Sequence, residues 1–236
     1  MTHLTVSRYR IKFKANHRIQ LPEYAGSSLR GAFGHALKNI ACLTASSNHG
    51  QCKCQPVASC LYRRIFDPAK QKLNLQDRLQ DVAPPFVIEA HSLPTEILAG
   101  QEAHFYMTLL GDFAHSQQMM IQLAWQRALA VGLGRYQNTG QAQSQLLSFE
   151  LSDRPQLNWQ AHSQLRVQFL SHARIQHHGE ILTIKNFDPV IFCRSVVRRY
   201  LTLSEAYSEK QLSIDDVKSL YADVQNVLGD YQVDHV

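Results

Sequence analysis

Nowhere does the 236-residue chain hold a run of about 18 apolar residues, so neither a membrane-crossing helix nor a membrane partner is expected. Its first residues, MTHLTVSRYRIKFK, lack the apolar stretch of a secretion signal, and a cytoplasmic location is expected. Walker, metalloprotease, nucleophile-elbow and dinucleotide motifs are all missing, which removes the sequence grounds for the reactions they serve. Charge of one sign does not dominate either. The 24 Lys and Arg against 19 Asp and Glu leave +5, with pI near 9.0. That excess suits a polyanion, yet it is moderate enough to be incidental. With 44% hydrophobic and 18% charged residues, the composition is that of a folded chain long enough for one large or two small cores. Cysteine is scarce, five in all, but four lie between Cys42 and Cys60. In a reducing compartment such a cluster reads as a metal site before a disulfide framework.

Residues 5–21 alternate with period two. Tyr9, Ile11 and Phe13 fall on one side, and Arg8, Arg10, Lys12 and Lys14 on the other, as in a half-buried strand with a positive open face. The segment LRGAFGHALKNIACL predicts a helix with Leu29, Phe33, Ala36, Leu37 and Ile40 inward and Ser27 or Ser28 as N-cap. Gly31 and Gly34 are poor helix formers, so a backbone or a ligand is expected to approach them closely. After the cysteines come a short strand in PPFVIEAHSL and a turn and strand over 95–111. A helix through SQQMMIQLAWQRALAV follows, with Met120, Ile121, Ala124, Trp125, Ala128 and Val131 inward, and then the strand QLLSFEL. Strand, helix, two strands, helix, strand is the βαββαβ order of a ferredoxin-like unit.

This order predicts an α+β chain with an N-terminal ferredoxin-like (RRM-like) module over 1–151 and a cysteine insertion at 42–60. A linker is expected at 152–163, followed by a second, incomplete module over 164–236. The second half holds the strand QLRVQFLSHARI, a turn at HHGE, and a helix opened by Asp188 and Pro189. Cys193, Val196, Val197, Tyr200 and Leu203 of that helix are expected to face inward. Ser213 with Asp216 forms a capping box for a last helix.

The cysteines are spaced as Cys42, nine residues, Cys52, one residue, Cys54, five residues, Cys60. Closely spaced thiolates on turn-rich sequence can supply a tetrahedral zinc site at little entropic cost. Four thiolates close the coordination sphere, so such an ion is structural, and none is expected to be catalytic. Metal-free thiols are the alternative, and His49 is a substitute ligand. His35 and Lys38 share the polar side of the first helix, with Tyr24 in the turn before it. A histidine moves protons near neutrality and a cation steadies a developing phosphorane, although a solvated helix face explains the same residues. Gly132, Gly134 and Arg135 can bring amides and charge to a phosphate, or can simply end a helix. The cationic strand face is a solvated edge in most proteins, but on a ferredoxin-like sheet it is where single-stranded RNA commonly lies.

GSSLRGAFGHALKNIAC, CKCQPVASCLYRRIFDP, PPFVIEA, a strand ending on Gly111, and VGLGR follow one another in this order. Together they resemble the CRISPR-associated RAMP superfamily over roughly residues 5–204, specifically its precursor-processing endoribonucleases with a cysteine knuckle. The resemblance implies two ferredoxin-like modules gripping CRISPR repeat RNA or the mature guide. It also implies a metal-independent endoribonuclease in which a 2′-hydroxyl attacks the adjacent phosphate to leave a 2′,3′-cyclic end. His35, assisted by Tyr24 and Lys38, is the implied catalytic group. Arg8, Arg10, Lys12, Lys14, Arg30, Gly132, Gly134 and Arg135 are the implied RNA contacts, and Cys42, Cys52, Cys54 and Cys60 the zinc ligands. The alternative within the superfamily is a non-catalytic subunit that binds guide RNA beside other CRISPR effector subunits. Relatives close with further strands and a second glycine-rich loop, which this sequence lacks after Gly229.

Overall fold

A computed structural model describes residues 4–42, 52, 54, 59–72, 79–136, 140–153, 168–169, 173–177, 179–209 and 213–228. In chain order the elements are β1 (Val6–Ala15), β2 (Ile19–Gln20), α1 (Gly26–Ala41), α2 (Leu61–Ile65), β3 (Gln71–Lys72), β4 (Leu79–Gln80), β5 (Phe86–Glu89) and β6 (Glu96–Ile97). There follow β7 (Glu102–Leu110), α3 (Asp112–Ser116), α4 (Gln118–Val131), β8 (Leu133–Tyr136), β9 (Gly140–Ala142), β10 (Ser144–Ser152), β11 (Gln176–His177), β12 (Glu180–Ile181), α5 (Pro189–Tyr207) and α6 (Ile214–Leu228). The chain forms two compact units. One comprises Thr5–Ala69 and Ala83–Leu165, the other Met1–Leu4, Lys70–Val82 and Arg166–Val236.

The main sheet of the larger unit runs β10-β1-β7-β5, with every neighbouring pair antiparallel. Since α1 lies between β1 and β5 in sequence, and α4 between β7 and β10, this is the βαββαβ connectivity. The alternation of β1 explains its central place. Tyr9, Ile11, Phe13 and Ala15 are buried, with Phe105, Met107 and Leu109 of β7 beside them on the same face. Leu29, Phe33 and Leu37 of α1 and Ile121, Trp125 and Leu129 of α4 complete this core. Trp125 stacks on Phe33 at 5.1 Å, meets Phe105 edge-on at 4.7 Å, and donates its indole N–H to Met107 Sδ at 3.0 Å. Burial of each such side chain stabilises the unit by about 1.5–3 kcal/mol.

Two local expectations in this unit change. The first helix begins earlier than Ser27 or Ser28 allows: Ala25, 4% exposed, sits at its N-cap without a side-chain bond, and its carbonyl accepts from Leu29 N–H at 3.0 Å. Burial of Ala25 fixes this helix start in place of a hydroxyl. On α4, Leu129 takes the inward place assigned to Val131, which is 51% exposed. Leu129 completes the i, i+3, i+4, i+7, i+8 stripe begun at Ile121, and Val131 lies off it. Gly132, at φ +125°, then ends the helix.

In the smaller unit β3 pairs with β4, and β11 with β12 around Gly179 at φ +87°. Asp188 caps α5 by accepting from the Val190 and Ile191 amides, and Pro189 follows it at the first helical position. Ser213 and Asp216 form the expected reciprocal pair ahead of α6. On α5 the buried residues are Leu201 and Ser204, whereas Val196 and Tyr200 are 54% and 38% exposed. The inward face is therefore rotated from the one the spacing indicated. Most of the expected linker and of the strand over 164–175 lies outside the described residues.

Candidate functional site

Cys42 ends α1 and Cys60 precedes α2, so two helix boundaries set the ends of the cysteine segment. Cys52 and Cys54 come back to them. Sγ separations are 3.3 Å for Cys42–Cys52 and 3.6 Å for both Cys42–Cys54 and Cys52–Cys60, and all four sulfurs lie within 4.8 Å of one another. No disulfide joins them. Sulfurs about 2.3 Å from a tetrahedral metal stand roughly 3.8 Å apart, so the cluster fits such an ion closely. Burial, with hydrogen bonding among the neighbouring thiols, pushes the Cys52 thiol up to about 12. Only a bound cation offsets the cost of ionising several thiols this close together. His49 lies outside the described residues.

The segment after Cys60 returns to α1 through aromatic packing. Tyr62 stacks on Phe66 at 5.4 Å, and Phe66 stacks on Phe86 at 6.1 Å. A Cβ on Gly34 would sit 2.3 Å from Phe66 Cζ. The glycine thus answers to a phenylalanine ring, neither a backbone nor a ligand, while nothing lies within 4 Å of a Cβ built on Gly31. Arg30 spreads over Phe66 and Phe86 at 4.7 and 5.1 Å from the ring centroids, a cation–π contact that holds it on this aromatic patch.

His35 is exposed on α1, with Lys38 nearly one turn further along. Lys38 Nζ lies 5.9 Å from the Tyr62 ring centroid, beside the cysteine segment. Tyr24 precedes the helix, and His35 stands nine residues beyond its first residue Gly26, about 14 Å of helical rise. His35 and Lys38 are therefore neighbours on one helix, and Tyr24 lies before its start.

The outer face of the main sheet carries the other predicted cations. Along β1, Arg8, Arg10, Lys12 and Lys14 stand opposite Thr108, Tyr106, His104 and Glu102 of β7. The face is less open than the alternation suggests. Arg8 Nη2 meets Glu89 Oε2 at 2.8 Å and its Nε donates to both Glu89 oxygens at 3.1 Å, while Thr108 Oγ1 donates to Glu89 Oε1 at 2.8 Å. Arg8 also covers the Tyr106 ring at 3.5 Å. Burial alone would push the Glu89 carboxyl up, but the Arg8 and Thr108 hydrogen bonds and the Arg8 charge together hold it below the ordinary value. Lys12 pairs with Glu102 at 2.6 Å. Among the described residues Arg10 and Lys14 have no ion pair, and Arg10 Nε is buried without a hydrogen-bond partner. His104 stands edge-on to Tyr106 at 5.4 Å, and burial followed by the Arg10 and Lys12 charges lowers its pKa.

Tyr106, His104 and Glu89 were absent from the predicted set. EAHFYMTLL alternates as cleanly as β1 does, so its outward residues were readable, but their pairing with the β1 cations needed the sheet register.

The glycine-rich stretch forms a hairpin. Gly132 donates its amide to Ala128 O at 3.0 Å, which commits that N–H to the helix end and takes it away from a phosphate. Gly134 and Arg135 lie on β8, where Arg135 pairs with Gln20 of β2, and β8 also pairs with β9. At the opposite end of β1, Ser7 Oγ and Tyr9 Oη approach His115 Nδ1 at 2.9 and 3.2 Å, and Tyr9 donates to Gln118 Oε1 at 2.8 Å. This network satisfies hydroxyls on the core side of the strand and ties α3 and α4 to it.

Residues 4–168 match the model of the AF_1859_N family, described as an N-terminal domain. No curated protein matches the chain. Among solved structures, a chain of a Csm3-Csm4 subcomplex in the type III-A CRISPR-Cas interference complex aligns at 15% identity. The alignment covers 64% of this chain and 80% of that chain with a TM-score of 0.40, too low to define a common fold.

Proposed function

The chain belongs to the AF_1859_N family, whose N-terminal domain it carries at residues 4–168, and from that premise we propose that it is an RNA-binding protein of the CRISPR-associated RAMP type. Its ligand on this reading is repeat-derived or guide RNA, and its site of action the cytoplasm. The observation that carries the reading is the outer face of β1 and β7, where Arg10, Lys12, Lys14, His104 and Tyr106 share one surface of a βαββαβ sheet. The LRGAFG helix and the cysteine block that follows it support the superfamily assignment, because sequence and geometry join them through Gly34 and Phe66. Cys42, Cys52, Cys54 and Cys60 hold a structural zinc ion that braces the end of α1. On this reading the smaller unit belongs to a second ferredoxin-like module, and other CRISPR effector subunits are the protein partners. Titration with a labelled single-stranded repeat RNA tests the reading: saturable, salt-sensitive binding supports it and none refutes it.

A second reading rests on His35, exposed on α1 with Lys38 nearly one turn away. There the protein is a metal-independent endoribonuclease. The 2′-hydroxyl of the RNA attacks the neighbouring phosphate, its proton passes to a base, and the 5′-oxygen leaves with a proton from an acid. On this reading Tyr24 assists from the turn before the helix. Cleavage of repeat RNA in EDTA, lost with a 2′-deoxy at the scissile nucleotide and slowed about 100-fold or more in His35→Ala, supports it. Uncut RNA, or cleavage that needs added magnesium, leaves the protein as a binding subunit.

A further inference from the structure

The Arg8–Glu89 pair, the Arg10 guanidinium and the His104 ring lie on one sheet face, and their order along it is informative. Thr108 holds Glu89, Glu89 holds Arg8, Arg8 covers Tyr106, and Tyr106 stands against His104. One face of Tyr106 is therefore already occupied by a guanidinium fixed to a carboxylate. His104 ends the series. It is half-buried, opposite Lys12 in the register, with Arg10 and Lys14, which have no ion pair among the described residues, on the same face.

From this arrangement we propose that His104 is the stacking platform for one unstacked nucleobase of single-stranded RNA, with Arg10 and Lys14 receiving the adjoining phosphates. The inference rests on the RNA-binding reading and names the subsite through which it acts.

Two observations favour a base with its phosphates over a purely anionic ligand. The face carries four cations, but Glu89, Glu102 and Glu150 stand among them, so its net charge is only slightly positive. Affinity from charge alone is correspondingly small, and stacking has to supply part of it. Burial, and after it the Arg10 and Lys12 charges, favours an uncharged imidazole, which loses less hydration than an imidazolium when a base covers it. Among the described residues Arg10 and Lys14 make no ion pair, which leaves their charges for the adjoining phosphates. Arg8 and Lys12 already hold carboxylates and act as braces.

The test compares binding of a labelled single-stranded RNA with that of an abasic strand of the same length, using wild type, His104→Ala and His104→Phe. His104 sits on the sheet surface, and thermal melts of the variants verify that they fold. His104→Ala should weaken RNA binding about 5- to 150-fold, the range for loss of one base–aromatic stack. His104→Phe should keep or improve wild-type affinity. On the abasic strand all three proteins should bind alike. Equal RNA affinity of wild type and His104→Ala, with wild type binding well, overturns the subsite while the RNA-binding reading stands. No binding by wild type overturns both. A His104→Ala loss that is just as large on the abasic strand assigns the effect to contacts with the sugar–phosphate backbone and overturns stacking.

Discussion

Phe66 packs against the bare Cα of Gly34, so closely that a Cβ there would fall 2.3 Å from Phe66 Cζ. This contact locks the segment after the cysteines onto α1, the helix that leads into them. Gly34→Ala forces the ring out of a stack that also includes Tyr62 and Phe86. Overpacking of this kind costs about 1–3 kcal/mol, to be read as a lower midpoint in thermal or urea unfolding. Gly31→Ala, with nothing within 4 Å of its Cβ, should leave stability unchanged or raise it by up to about 1 kcal/mol.

Sulfurs packed at 3.3–3.6 Å call for a cation, and purified protein should contain one zinc per chain by elemental analysis. Cys52→Ser should lose the metal and melt at lower temperature, because a structural ion contributes directly to folding. Full stability and unchanged melting after exhaustive chelation would count against the knuckle.

The Arg8–Glu89 pair makes stability depend on pH in a predictable direction. The Glu89 carboxyl is held below its ordinary value of 4.5, so it binds protons less readily in the folded state than in the unfolded chain. Its contribution is fully present above that value and is lost as pH falls through the lower, folded one. Glu89→Ala leaves the half-buried Arg8 without its partner and should cost about 1–3 kcal/mol at neutral pH. The gap between wild type and variant in urea unfolding should narrow steadily in acid below about pH 4.5. A gap that persists unchanged at pH 2–3 would show that packing, and not charge, sets the cost.

Much of this arrangement was legible in the sequence, and the failures share a cause. Period-two alternation in Val6–Ala15 located the central strand, and Asp188, Pro189 and the Ser213–Asp216 pair announced two helix starts, because each signal is local. Gly34 was recognisable as a close-approach position, but its neighbour lies 32 residues away, so the partner could not be named. Four cations in alternation promised an open positive face. Glu89 and Glu102 neutralise two of them from other strands, and only the sheet register reveals that. His35 and Lys38 share α1, and Tyr24 lies before its start.

That neutralisation has a measurable consequence. Four free cations on β1 would give a slope of log affinity against log salt near −2.8, whereas Arg10 and Lys14 alone give about −1.4 for a single strand. Substituting both with Gln should make the observed slope shallower by about 1.4, and substituting Arg8 should barely change it. A large effect of Arg8 on the slope would mean that Glu89 releases it to RNA.

Whether the protein binds RNA at all is decided most directly by fluorescence anisotropy of a labelled single-stranded repeat RNA, titrated with the full chain between about 50 and 200 mM salt. The arrangement of Arg10, Lys14 and His104 predicts saturable binding at the low end that weakens as salt rises. Absence of binding at the lowest salt, or an affinity indifferent to salt, would contradict it.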